Sequence, residues 1–93
     1  MRVVYKYKLV PGVTSLNVPS IHKVLCVGRE ARLEGDNICL WVLVDPNDQE
    51  VRELRVRTVA TGEVIPEMSE KQCPYIGTVT GVDGWLVFHV FEV

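Results

Sequence analysis

Apolar and polar residues alternate with a period of two along most of the chain, the mark of half-buried β-strands. In the first segment Val3, Tyr5, Tyr7 and Leu9 share one face. Arg2, Lys6 and Lys8 take the other, with Val4 the exception. Pro11-Gly12 signals a turn. Residues 14–18 form a short strand with Leu16 and Val18 facing one way, and Pro19-Ser20 ends it because proline gives no ladder donor. Residues 23–27 are a third strand, bulged or ended by Gly28. Glu34-Gly35-Asp36-Asn37 turns the chain. Ile38–Val44 is then apolar without alternation, as in a strand covered on both faces.

Asp45-Pro46-Asn47-Asp48 reads as another turn. Over residues 51–59, Leu54, Val56 and Thr58 oppose Glu53, Arg55 and Arg57. Thr61-Gly62 leads into a short strand at Glu63-Val64-Ile65. Residues 66–73 hold one helical turn, too short for a helix layer. The clearest hairpin has residues 75–80 and 85–93 flanking Gly81-Val82-Asp83-Gly84. The pattern predicts one all-β domain over residues 1–93. Its architecture is a small antiparallel β-sandwich or a partly open barrel of about seven strands. The expected core includes Tyr5, Tyr7, Leu16, Val24, Leu40, Val42, Leu54, Val56, Ile76, Phe88 and Val90.

Composition narrows the partners. The apolar share of 47% suffices for one core in a chain of 93 residues. A net charge of −2 argues against general affinity for nucleic acid, which needs a basic footprint. Cys26, Cys39 and Cys73 are odd in number and lack a C-x-x-C pair, so they are expected as reduced thiols. Cys26 and Cys39 lie in apolar runs as core residues do, and Cys73, in a polar loop, is the more exposed. With His22 and His89 they lack the paired spacing of a zinc site. The start of the chain forms no signal-peptide apolar segment, and no apolar run is long enough to span a bilayer. The expectation is a cytoplasmic protein without membrane contact.

Several segments carry a resemblance to a known group. They are Val4-Tyr5-Lys6-Tyr7, Lys23-Val24-Leu25, Cys39-Leu40-Trp41 with Leu43-Val44-Asp45, Thr61-Gly62 with Ile65-Pro66, and Tyr75-Ile76-Gly77-Thr78. The most specific is the ending, Leu86-Val87-Phe88-His89-Val90-Phe91-Glu92. On these the chain resembles a family of short uncharacterised proteins encoded by tailed bacteriophages. Residues 29–36 and 69–74 are particular to this sequence. The resemblance implies a phage origin and a compact β fold. It implies no activity and no catalytic residues.

Candidate chemistry is sparse. His89 shares a strand face with Trp85, Val87 and Phe91, which suits either a ligand-contacting imidazole or a core-edge histidine. His22 precedes a lysine at a strand start and is expected to be solvated. Cys39, between Ile38 and Leu40, has neither the base nor the electropositive setting of a nucleophile, Cys73 beside Pro74 is the more exposed candidate, and both are expected to be structural or inert. Arg2, Lys6 and Lys8 form one basic face, and Arg52, Arg55 and Arg57 a second set. With Tyr5, Tyr7 and Trp41 these sets can form a nucleic-acid surface or, through Trp41, Arg55 and Arg57, grip an anionic ligand such as a nucleotide, or they can be ordinary solvated strand faces with cross-strand ion pairs. Asp45, Asn47 and Asp48 lack the glycine and closing glutamate of a calcium loop. The Glu63, Glu67, Glu70 set is a solvated one. No phosphate loop and no nucleophile elbow is present.

The chain is therefore expected not to be an enzyme and to need no cofactor. It is expected to bind a host protein, including a defence component, or a small anionic molecule. The competing role is a minor virion or assembly component. Ile38–Val44 and the last strand are apolar on both faces with no helix to cover the surplus. The chain is thus expected to be a homo-oligomer, a dimer or higher, packed through Trp85, Val87, Phe91 and Val93.

Overall fold

Among the described residues, seven strands form where alternation and apolar runs place them. The computed structural model describes residues 1–30, 37–66, 73–81 and 86–93. The strands are β1 (Val3–Lys8), β2 (Gly12–Pro19), β3 (His22–Arg29), β4 (Ile38–Val44), β5 (Val51–Ala60), β6 (Tyr75–Thr80) and β7 (Val87–Glu92). They pair antiparallel in a three-stranded sheet, β1-β4-β3, and a four-stranded sheet, β2-β5-β7-β6. The two sheets do not close into a barrel, so the architecture is a sandwich. A thinnest dimension of 15 Å accommodates two layers.

The core lies between the layers. Ile38, Leu40, Val42 and Val44 of β4 meet Leu54 and Val56 of β5, Val79 of β6 and Val90 of β7. These residues recur at every second position, so each strand gives one face to the core. The sheets approach most closely where β3 meets β6. There an added Cβ on Gly77 would stand 2.8 Å from Val27 Cγ1. The turns at Pro11-Gly12 and Thr61-Gly62 put both glycines at positive φ, 87° and 97°, where a side chain is strained.

One carboxylate ties two loops at an end of the sandwich. Asp48 accepts hydrogen bonds from Ser20 Oγ (2.6 Å), the Ile21 N–H (2.8 Å) and the Glu50 N–H (3.1 Å). The Ser20 bond, with those backbone donors, holds its carboxyl below the usual 3.8. A carboxylate with a lowered folded pKa stabilises the fold above its unfolded pKa and loses that effect as pH falls through the folded value. The melting temperature of Asp48→Asn is therefore expected to lie below that of the wild type at pH 6. The gap should narrow as the pH drops below about 4. Thermal melts at several pH values check this, and a gap independent of pH would contradict it.

Several expectations need correction. Tyr5 points to the core side but is 41% exposed, because β1 is an edge strand that the opposite sheet does not fully cover. Glu63-Val64-Ile65 is not a strand. The Glu63 carboxylate and N–H fold back onto the backbone of Ala60, and Val64 is exposed. Gly28 neither ends nor bulges β3. The register shifts between Val24 and Cys26, and Cys26 is exposed rather than in the core. Cys73 is buried rather than exposed, since the Glu92 N–H donates to Pro74 O and draws this segment alongside β7. His22 is half-buried, with Nδ1 2.8 Å from Pro19 O. Most of the segment read as a helical turn, with Glu67 and Glu70, and also Trp85 lie outside the described residues.

Candidate functional site

The best-organised polar group lies on the outer face of the four-stranded sheet. Inward-facing Leu54, Val56 and Thr58 turn Arg55, Arg57 and Val59 outward on β5. Inward-facing Val90 likewise turns His89 and Phe91 outward on β7. The register sets His89 between Val59 and Thr78, and Phe91 between Arg57 and Tyr75. Tyr75 packs on Phe91 with ring centroids 5.5 Å apart.

Both imidazole nitrogens of His89 meet hydroxyls. Nε2 is 2.7 Å from Thr61 Oγ1, and Nδ1 is 3.1 Å from Thr78 Oγ1, which also bonds the Tyr75 hydroxyl. Thr61 Oγ1 donates to Val87 O at 3.4 Å. Having donated to Val87 O, the Thr61 hydroxyl accepts from the Nε2–H of His89. Among the described residues its ring partners are hydroxyls and not a carboxylate, an arrangement that positions the ring. It suits ligand contact better than proton abstraction.

Of the residues singled out from the sequence, His89, Arg55 and Arg57 share this face. Arg55 lies at its end, where its carbonyl accepts the Val93 N–H at 3.0 Å. Val87, Phe91 and Val93 are half-buried. Trp41 is elsewhere, on the outer face of the three-stranded sheet, so it does not join the arginines and His89. Its ring covers Gly28, where an added Cβ would stand 3.2 Å from the indole. Beside it Lys6 binds the Glu30 carboxylate at 2.6 Å. On the same face Cys39 is buried, and burial pushes its thiol pKa up despite the lowering influence of Lys6 and Lys8.

Sequence reasoning missed Thr61, Thr78 and Tyr75 as partners of His89. A turn confined to residues 81–84 pairs Thr80 with Trp85, and so sets Thr78 opposite Val87. The observed pairing of Thr80 with Val87 moves Thr78 opposite His89. Only the true register reveals the network.

The fold is a small two-layer antiparallel β-sandwich whose four-stranded sheet carries aromatic, cationic and hydroxyl side chains on its outer face. The chain belongs to the family described as Domain of unknown function (DUF7352), whose model matches residues 1–93. No curated protein and no solved structure matches the chain.

Proposed function

We propose that the protein is a non-catalytic binding module. In this reading it is a phage accessory protein that acts stoichiometrically on a host protein or a small anionic molecule in the infected cell. The phage setting rests on the segment resemblance. The binding role rests on one observation: the exposed Tyr75 ring packs at a tilt against half-buried Phe91, whose register partner on the other side is Arg57, on the outer face of the four-stranded sheet. The exposed Tyr75 ring offers a contact platform, and a guanidinium grips carboxylate or phosphate bidentately. His89, held at both nitrogens, adds a fixed edge to that platform. Residues on the outer face of a sheet suit partner contact more than catalysis, which needs an enclosed and desolvated centre.

The test is native mass spectrometry of the tagged protein isolated from infected host cells, with proteomics of co-purifying proteins. The expected result is one bound species whose retention falls by roughly tenfold or more in Tyr75→Ala and Phe91→Ala, the equivalent of about 1.4 kcal/mol. Recovery of neither partner nor small molecule would overturn the reading. Stoichiometric presence in purified virions would replace it with a structural role.

A further inference from the structure

Charge is divided unevenly between the two layers. The chain as a whole is slightly acidic, at −2. Yet β1, β3 and β4, the strands of the three-stranded sheet, contain Lys6, Lys8, Lys23 and Arg29 and not one aspartate or glutamate. The pairing register places the three lysines on the outer face. Leu40, Val42 and Val44 of β4 point into the core, so Cys39, Trp41 and Leu43 point outward. Lys8 lies beside Cys39, Lys6 beside Trp41, and Lys23 beside Leu43. Burial raises the Cys39 thiol pKa against the pull of both Lys6 and Lys8, whose charges therefore lie on its side of the sheet. Glu30 neutralises Lys6. Lys8 and Lys23 are exposed and form no ion pair among the described residues.

These unpaired lysines occupy opposite corners of the face, on different edge strands and at opposite ends, with Trp41 at its centre. Strand spacings of about 4.8 Å and a rise of about 3.4 Å per residue put their Cα atoms roughly 17 Å apart. The indole reaches sideways along the sheet because Gly28 has no side chain in its way. An added Cβ there would stand 3.2 Å from Trp41 Cζ3 and 3.7 Å from Cη2.

We propose that this face binds single-stranded nucleic acid, with the phosphate backbone running from Lys8 to Lys23 and a base on Trp41. Unpaired cations on strands without carboxylates call for an anion. Their separation exceeds what one carboxylate or phosphate bridges, so the anion is a polymer. All three cations on the face are lysines, point charges on flexible stems that follow a backbone. They lack the rigid fork by which arginine singles out one carboxylate. An acidic peptide brings nothing to the tryptophan between them, whereas every base has a π-face to lay on it. A duplex keeps its bases stacked on one another and leaves the indole without a partner. The face lies on the other sheet from Tyr75 and Phe91, so the proposal does not depend on the binding role given to those rings.

Fluorescence anisotropy of a labelled oligothymidylate of about 15 nucleotides, and of the matching oligouridylate, tests the proposal on the full chain. At least one should bind, with log affinity falling linearly with log salt concentration, and the tighter of the two identifies DNA or RNA as the source. Lys8→Gln and Lys23→Gln change exposed residues and should each weaken binding and reduce the salt slope by about 1. Trp41→Ala should weaken binding roughly tenfold with the slope unchanged, and Trp41→Phe should recover most of that loss. Binding of neither oligonucleotide, or binding indifferent to both lysine variants, overturns the proposal. Equal binding of duplex DNA overturns it as well. So does equal binding of polyglutamate that survives Trp41→Ala, which would identify an acidic protein as the partner. Loss of binding in Arg57→Gln but in neither lysine variant places the contact on the four-stranded sheet and likewise overturns it.

Discussion

Replacement of Leu40 by alanine is expected to lower the free energy of unfolding by about 2–5 kcal/mol. Leu40 lies at the middle of β4, the central strand of its sheet, flanked in register by Tyr7 and Val27. It is wholly inaccessible to solvent and belongs to the cluster between the sheets. Truncation removes buried methyl groups and leaves a cavity, because strands bonded on both sides cannot collapse inward to fill it. Urea denaturation measures the effect as a lower midpoint with an unchanged slope. A cost below about 1 kcal/mol would mean that β4 is not the centre of the core.

Gly77→Ala should destabilise the protein by about 1–3 kcal/mol, although alanine is ordinarily the better strand residue. The reason is steric. The new methyl falls 2.8 Å from Val27 Cγ1, well inside van der Waals contact. Val27 is β-branched and held in a paired strand, so it has little rotamer freedom with which to yield. The strain has one named partner, which gives the prediction a second arm. Val27→Ala alone opens space and should also destabilise. The double variant should be more stable than the sum of the two single effects implies, with a coupling energy of roughly 1 kcal/mol or more. Strict additivity in the denaturation cycle would show that the two strands do not meet at these residues.

The sequence carried the fold well wherever one face of a strand is buried and the other is not. Leu54, Val56 and Thr58 against Glu53, Arg55 and Arg57 located β5 and its orientation, because a period of two allows only one face to the core. The unbroken apolar run of β4 announced a strand with cover on its second face. Cys39 is buried there, and Trp41 and Leu43 are half-buried. Failures arose where the outcome depends on a neighbour distant in sequence. Alternation assigned Tyr5 its side of the sheet but does not reveal whether the other layer extends over it. The extra residue between Val24 and Cys26 shifts the register against β4, and that shift depends on the pairing rather than on the run of apolar residues. The candidate site follows the same division. His89, Arg55 and Arg57 were legible as outward residues of two strands. Their companions Thr61, Thr78 and Tyr75 depend on pairing register, and Trp41 depends on which of two sheets its strand joins.

The order of strands within the sheets bears on how the chain reaches this state. The three-stranded sheet draws on the first, third and fourth strands, and the four-stranded sheet on the second, fifth, sixth and seventh. The chain changes layer between β1 and β2, between β2 and β3, and again between β4 and β5. Neither layer is therefore a continuous stretch of polypeptide, and neither can be completed before the segments passing between them are in place. Loop-closure entropy must be met before most of the burial that rewards it. Folding is expected to be a single concerted event on the order of milliseconds to seconds, as for other sheet proteins dominated by distant pairings. Interleaving also means that no single cut releases an intact half, so partial unfolding should begin at strand edges and not by separation of the two layers.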